Sequence, residues 1–355
     1  MPDNKNQHYV PRCRLKPFTL NGEGRSINLF NLARERAIPN APVKNQCSRD
    51  YFYGDDLQAE MLLANLEGRF AAVSDKLLVG AAPNAEDAHW LKVFALIQWR
   101  RTTGQLAEMR RYKKSMENVA YARDLSQKPD DLDNRELLGI LMRAGARAIE
   151  HVRDLKVAIF RSRAGSEFII SDNPSVLTNR MHLQRMRDNR FGLSSPGAMF
   201  VLPLAPSPAM IAYDGACYTV DKNADGFVEA KDRDVEVFNE FQFLLAQKNV
   251  YYGPNASAHG LADAAKYAAA EMEECRPTTR TFVPLESSSD TFRLSKPGEE
   301  LTERKMLLET AFRHPSPSGW PSKLKLREKV KYLGDGTLRG PVRRTEWLKK
   351  RSARR

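Results

Sequence analysis

Polar side chains end a strand near the middle of this chain. A run of strand-forming residues closes at Ile170 and is followed by Ser-Asp-Asn-Pro at positions 171–174. Pro174 has no backbone N–H and restricts the residue before it to extended geometry, so a strand must end here. Such an end can present Asp172 to a ligand or a metal ion. It can equally close a turn, because Asp and Asn side chains hydrogen-bond their own backbone.

Other positions carry side chains suited to acid–base chemistry. His8 could act as a base or a ligand near physiological pH, or it could be a hydrogen-bonded structural residue. Glu60 and Glu67 share one face of a predicted helix with Ala64 and Ala71. That face is either a solvated surface or a wall that packs closely and lines an inward polar site. The apolar stripe of the same helix contains Leu62, Leu66, Phe70, Val73 and Leu77.

Two further patterns resemble metal sites. Asp221 to Asp232 matches most positions of an EF-hand loop, but Asp stands where a bidentate Glu is usual, and a strand precedes the segment instead of a helix. We therefore favour a hairpin turn at 223–226 over a calcium site. Glu229-Ala-Lys231, with an upstream Asp, is the minimal pattern of a metal-dependent nuclease, but it recurs often by chance. The sequence contains no phosphate-binding, dinucleotide-binding, nucleophile-elbow, HExxH or kinase motif.

Composition places the chain among soluble globular proteins. It has 355 residues with 42% hydrophobic and 28% charged side chains, and no apolar run long enough to cross a bilayer. Its four scattered cysteines form no ligand pair. Together with the absence of a secretory signal, this predicts a cytoplasmic protein with reduced thiols and no membrane association.

The charge is concentrated at the C-terminal end. Residues 323–355 contain thirteen Lys or Arg and three acids, which is +10 of the total +12. From Lys323 to Lys331 the cations alternate with mostly apolar residues, so a strand would place them on one face. Clustered cations next to Tyr332 and Trp347 favour nucleic acid as the partner. The predicted contacts are Lys323, Lys325, Arg327, Lys329, Lys331, Arg343 and Arg344.

The elements that must position these residues predict an α+β fold. We expect a single domain over 1–275, with an N-terminal β-rich cap (1–54), a helical layer (55–152) and a C-terminal mixed or antiparallel sheet with flanking helices (153–275). Helices are expected near 55–78, from a capping box at Asn84, near 133–152, 234–247 and 262–272. The strands at 156–160 and 167–171 are predicted to form a hairpin. Composition predicts a linker over 276–320 and a basic tail over 321–355.

Several spaced motifs resemble the bacterial proteins catalogued as domain of unknown function 4238, over about residues 5–255. The matching residues are Gln7 to Arg12, Leu15, Phe18, Tyr53, Glu60 to Glu67, Gln98, Arg101-Thr102, Ser171 to Pro174, Leu202 to Leu204, Asn239 and Tyr251 to Gly253. Cys13-Arg14 departs from the aromatic pair usual in the family. The resemblance assigns no activity. Because some members are similar to components of anti-phage defence loci, it implies an effector on nucleic acid or a sensor of a phage component.

The sequence hypothesis joins these observations in one polar site. His8, Glu60, Glu67, Arg101 and Asp172 would converge as catalytic residues, with Asp172 and Glu67 holding Mg²⁺ or Mn²⁺ for phosphodiester cleavage. The basic tail would bring DNA or RNA to that site in an anti-phage effector. The alternative hypothesis is a non-catalytic nucleic-acid-binding or phage-sensing module, with a phage protein as a further partner. In that case the same polar residues would form a structural network.

Overall fold

Four consecutive helices in the described chain are preceded and followed by runs of strands. The computed structural model describes residues 6–54, 57–121, 132–256, 260–275, 278–285, 291–296, 299, 307–311, 313–330, 332–333 and 342–343. The α-helices are α1 (Arg12–Leu15), α2 (Leu57–Leu78), α3 (Ala85–Arg100), α4 (Thr103–Tyr121), α5 (Asn134–Arg147), α6 (Asp232–Leu245) and α7 (Leu261–Glu274). No helix within these ranges is both long and apolar enough to span a membrane.

Eighteen short strands accompany these helices in the described residues. They are β1 (Asn6–His8), β2 (Ser26–Asn31), β3 (Arg36–Pro42), β4 (Ser48–Asp50), β5 (Lys156–Arg161), β6 (Ile170–Ser171), β7 (Val176–Thr178), β8 (Met199–Pro203), β9 (Ala209–Tyr213), β10 (Tyr218–Val220), β11 (Val228–Glu229), β12 (Asn249–Tyr252), β13 (Thr278–Pro284), β14 (Phe292–Leu294), β15 (Leu307–Ala311), β16 (Leu324–Leu326), β17 (Tyr332–Leu333) and β18 (Val342–Arg343). The α+β class predicted from the sequence is confirmed.

A five-stranded sheet in the order β11-β5-β9-β8-β7 forms the centre, with only β11 and β5 parallel. Its side chains alternate between two cores, as the two-residue period of a strand requires. Ile159 and Phe200 pack on α2 and α3, whereas Phe160 and Val201 pack on α6. Because both faces are covered, the strands read as continuous apolar runs instead of alternating ones.

A second, antiparallel sheet has the order β3-β2-β12-β6 and packs against the N-terminal segment and α5. β5 and β6 therefore belong to different sheets, and the predicted hairpin between them is wrong. The physical reason is that each strand finds a longer-range partner, β9 for β5 and β12 for β6. The buried residues of β5 are mostly apolar and β6 is only two residues long, so their local sequence does not specify a partner.

Two segments differ from the sequence prediction. No helix was predicted over α4, whose surface is mostly charged and which contributes few apolar side chains, Leu106 and Met109 among them, to a core. The range 276–320, expected to be a linker, contains β13 paired with β14 and β15. Its Thr-rich composition suits strands as well as linkers. The capping box at Asn84 and Asp87 is present as predicted.

Candidate functional site

A polar cleft of about 400 Å³ lies between α2 and the segment formed by β1 and α1. One wall is a single face of α2, made of Glu60, Leu63, Ala64, Glu67, Gly68 and Ala71. The other wall consists of Asn6, His8, Pro11, Arg12, Cys13 and Tyr53. The acid-and-alanine face of α2 thus lines a cleft, and its acids and alanines are half-buried except Ala64, which is exposed. On the apolar face, Leu63 is buried, whereas Leu62 is 76% exposed and was wrongly placed in the stripe.

One acid of this cleft, Glu67, forms an ion pair with a buried arginine. The Nη1 atom of Arg101 lies 2.7 Å from Oε1 of Glu67, and Arg101 is fully buried at the end of α3. Its Nε donates to Gln98 Oε1 at 2.9 Å, and Gln98 Nε2 donates to the carbonyl of Tyr9 at 2.9 Å. The network joins α2, α3 and the N-terminal segment. Two of the predicted site residues are therefore in contact, and Glu67 both lines the cleft and holds Arg101.

His8 lies on the opposite wall beside Arg12. The Nε of Arg12 donates to His8 Nε2 across 3.5 Å. Burial, and secondarily the Arg12 charge, lowers the pKa of His8 from 6.5 to about 4, against a hydrogen bond to the backbone of Asn6. The imidazole is therefore neutral at pH 7 and a weak base. Because general bases work best with a pKa near the operating pH, His8 is better suited to accept a hydrogen bond than to remove a proton.

Two further ionisable side chains of the cleft, Cys13 and Tyr53, are also held neutral. Burial, and then the charge of Glu67, raises the pKa of the Cys13 thiol to about 11, so it is not a thiolate nucleophile. Burial raises the pKa of Tyr53 to about 12, and its hydroxyl donates to the carbonyl of His8 at 3.3 Å. Among the described residues that line the cleft, Glu60 and Arg12 carry charges without a described ion pair.

Asp172 is not among the residues that line this cleft. Its Oδ1 accepts a hydrogen bond from the backbone amide of Gln247 at 2.8 Å. Its Oδ2 accepts from the amides of Lys248 at 2.7 Å and Asn249 at 3.3 Å. The fully buried carboxylate therefore ties the end of β6 to the connection between α6 and β12. Of the five residues predicted to converge, three line the cleft, namely His8, Glu60 and Glu67. Arg101 is connected to them only as the ion-pair partner of Glu67, and Asp172 lies outside.

The neighbours of Asp172 are equally occupied. Ser171 Oγ donates to Gln242 Oε1 at 3.1 Å, and Asn173 Oδ1 accepts from Thr102 Oγ1 at 2.7 Å. No group of three or more His, Cys, Asp or Glu suited to a metal ion occurs in the described part of the chain. Asp172 and Glu67, predicted as joint metal ligands, have separate partners.

The acids of the EF-hand-like segment also have partners. Asp221 lies 2.7 Å from Lys325 Nζ, and Asp225 lies 2.9 Å from Arg161 Nη1. A tight turn is present, since the amide of Asn223 donates to the carbonyl of Phe227 at 2.7 Å. The flanking strands do not form the predicted hairpin, however. β10 pairs with β16, and β11 pairs with β5.

The first part of the basic tail is a strand on the body of the protein. β16 pairs antiparallel with β10, with Leu324 fully buried and Lys325 exposed, as the predicted alternation requires. The backbone amide of Arg327 donates to the carbonyl of Cys217 at 2.8 Å, and its Nε donates to that of Gly215 at 3.0 Å. Thus the tail does not hang free here.

Two arginines from a short helical segment, which includes the π-helix His182–Met186, contact this strand and the residues just after it. The Nη1 of Arg180 donates to the carbonyl of Leu324, and that of Arg185 to the carbonyl of Glu328 at 3.4 Å. We call the resulting patch the basic surface. It consists of Arg180, Arg185, Lys323, Lys325, Arg327 and Lys329. The sequence showed both basic segments but gave no signal that they meet.

The other predicted nucleic-acid contacts have different environments. Arg343 is buried, with its Nε 3.1 Å from Asp154 Oδ2 and its guanidinium donating to the carbonyls of Leu193 and His151. It is a structural residue because its donors are used inside the protein. Lys331 and Arg344 lie outside the described residues.

The cleft and the basic surface lie at opposite ends of the central sheet. Arg14 of α1 donates to the carbonyls of Pro203 and Leu204, where β8 ends. The basic surface adjoins Gly215, beyond the opposite end of β9. Five strand residues, each rising about 3.3 Å, separate these ends by roughly 16 Å. The two sites are therefore distinct.

One family model matches this chain. It is described as "Protein of unknown function (DUF4238)" and covers residues 6–256. No curated protein and no solved structure matches the chain.

Proposed function

We propose that this chain, which belongs to the DUF4238 family of proteins of unknown function, binds nucleic acid through its basic surface. The observation that carries the proposal is the meeting of two basic segments more than a hundred residues apart in sequence. Arg180 donates to the backbone of β16, which presents Lys325, and Arg185 donates to the backbone of Glu328 just beyond that strand. Cations gathered in this way on one surface favour a polyanion.

The charge balance at this surface supports the same proposal. The six cations of this surface are accompanied by two acids, Asp221 and Glu328. Asp221 is paired with Lys325. Arg185, Lys325, Arg327 and Lys329 are exposed. Neutralising phosphates with such side chains releases counterions and makes binding independent of sequence but steeply dependent on salt. Since the cations on β16 are held by strand pairing, less conformational entropy is lost when they bind than for a free tail.

The placement of the carboxylates favours the binding alternative over metal-assisted cleavage. Cleavage at the predicted site would require Asp172 beside Glu67, and nucleic acid delivered to both. Asp172 is committed to three backbone amides, and the basic surface lies at the far end of the sheet. The family resemblance suggests defence against phage as the setting in which such binding acts.

The test compares matched charge reversals. Fluorescence anisotropy with labelled duplex DNA and single-stranded RNA should give a dissociation constant at least tenfold higher for Lys325→Glu/Arg327→Glu than for wild type. Arg25→Glu/Arg36→Glu changes the net charge equally at exposed positions on the other sheet and should leave affinity almost unchanged. Equal losses in both variants would contradict a specific surface.

A second measurement separates binding from catalysis. The purified protein is incubated with DNA and with RNA, with and without Mg²⁺ or Mn²⁺. We expect intact nucleic acid under all conditions. Metal-dependent products that disappear in a folded Asp172→Asn variant would reinstate the nuclease hypothesis. Phage plating with the Lys325→Glu/Arg327→Glu variant then tests whether the surface is needed for protection.

A further inference from the structure

The cleft beside α2 contains an unfilled space that packing does not explain. Gly68 lies in the middle of this 22-residue helix, and a Cβ added there would meet no atom within 4 Å. Glycine inside an exposed helix costs about 1 kcal/mol relative to alanine. Neither a close neighbour nor a positive φ requires it here. Together with Ala64 and Ala71, Gly68 keeps the cleft open at a cost in stability.

One acidic side chain in the cleft lacks a countercharge. Glu60 is half-buried and has no ion pair or hydrogen bond with any described residue. Glu67, two helical turns further on, is matched by Arg101. A partly buried carboxylate favours a cationic or hydrogen-bond-donating partner. A cationic group of a ligand would therefore gain the most favourable interaction in the cleft by contacting Glu60.

A cation stands on the opposite wall. Arg12 is exposed and forms no salt bridge with a described acid. Its Nε contacts His8, which is neutral at pH 7 because burial and Arg12 lower its pKa to about 4. The Arg12 charge is therefore not compensated by His8. Around the space left by Ala64, Gly68 and Ala71, the described residues present the carboxylate of Glu60 and the guanidinium of Arg12.

We infer that the cleft binds a small zwitterionic molecule. An ammonium or guanidinium group would contact Glu60, and a carboxylate would contact Arg12. A volume of about 400 Å³ lies within the range usual for small-molecule sites. The inference is independent of nucleic-acid binding, because the basic surface lies at the other end of the sheet.

The probes are ω-amino and ω-guanidino acids, with 4-guanidinobutyrate and 6-aminohexanoate as the first pair. Binding is measured by isothermal titration calorimetry and by the NMR shifts of the His8 ring, which lies in the cleft. Glu60→Gln and Arg12→Gln should each weaken binding about tenfold or more. Gly68→Leu should abolish it by filling the space. Glu236→Gln, an exposed control on α6, should change nothing.

A truncated probe tests the two-ended arrangement. Butylguanidine lacks the carboxylate, so it should bind wild type more weakly than 4-guanidinobutyrate does. Arg12→Gln should not weaken the binding of butylguanidine, whereas Glu60→Gln should weaken it. The inference is overturned if no probe of the series binds saturably to wild type. Equal affinity for butylguanidine, or an equal loss in Glu236→Gln, would overturn it as well.

Discussion

Replacing Asp172 tests whether this residue is structural or catalytic. Asp172→Ala removes the acceptor of three consecutive backbone amides, those of Gln247, Lys248 and Asn249. The two shorter hydrogen bonds, 2.8 and 2.7 Å long, go to a charged acceptor in a fully buried residue. Leaving such donors unsatisfied costs about 1–3 kcal/mol each, so losing the two shorter hydrogen bonds should lower the free energy of unfolding by roughly 2–6 kcal/mol.

The raised pKa of Asp172 also predicts how the free energy of unfolding changes with pH. Burial raises the pKa of Asp172 from 3.8 to about 6, against the three amide hydrogen bonds. Between these values the folded chain retains a proton that the unfolded chain has released. This contribution to stability is complete below pH 3.8 and is lost as the pH rises through about 6. At about 1.4 kcal/mol per pKa unit, the loss approaches about 3 kcal/mol.

The assay is urea unfolding of wild type, Asp172→Ala and Asp172→Asn at several pH values. Because Asn carries no charge, wild type should lose stability relative to Asp172→Asn between about pH 4 and about pH 7. Asp172→Ala should retain its affinity for nucleic acid wherever it is folded. An Asp172→Ala protein as stable as wild type would refute the structural role. A wild type that gains stability over Asp172→Asn as the pH rises would refute the electrostatic reasoning.

Three further predictions concern the cleft and the tail. Gly68→Ala should raise the free energy of unfolding by about 1 kcal/mol, because alanine favours the helix and its Cβ meets no neighbouring atom. Urea denaturation measures this change, and a destabilised variant would contradict the prediction. NMR titration should give His8 a pKa of about 4, moving up towards 6.5 in Arg12→Gln, whereas an unchanged value would exclude Arg12 as a cause. Arg343→Ala should lower the free energy of unfolding by about 2–3 kcal/mol, because the guanidinium donates to Asp154 and to two carbonyls. Its affinity for nucleic acid should be unchanged. Weaker binding by a stable variant would show that Arg343 contacts nucleic acid.

The face of α2 shows what sequence periodicity could predict. Glu60, Ala64, Glu67 and Ala71 recur at helical spacing, so their common face followed from the sequence. That they line a cleft depended on the position of β1 and α1, which is set by long-range contacts such as Arg14 with the end of β8. Arg12 was not singled out, although its position four residues after His8 offered a signal.

Asp172 shows where adjacency in sequence misleads. The motifs around His8 and Asp172 suggested that both residues belong to one site. Consecutive residues of an extended segment point in opposite directions, however, so His8 and Tyr9 face different surroundings. His8 lines the cleft, whereas its neighbour Tyr9 lies close enough to Asp172 for that carboxylate to help raise the tyrosine pKa. Strand partners were similarly beyond prediction, because β5 and β6 pair with strands that are distant in sequence.

The salt dependence of nucleic-acid binding tests the central claim most directly. Each phosphate contact contributes about 0.9 to the slope of log K against log salt for duplex DNA. Lys325→Glu/Arg327→Glu removes two cations of the basic surface, so we expect a slope shallower by about 1.8, with Arg25→Glu/Arg36→Glu unchanged. Binding by wild type that does not vary with salt, or an identical slope in the Lys325→Glu/Arg327→Glu variant, would contradict nucleic-acid binding at this surface.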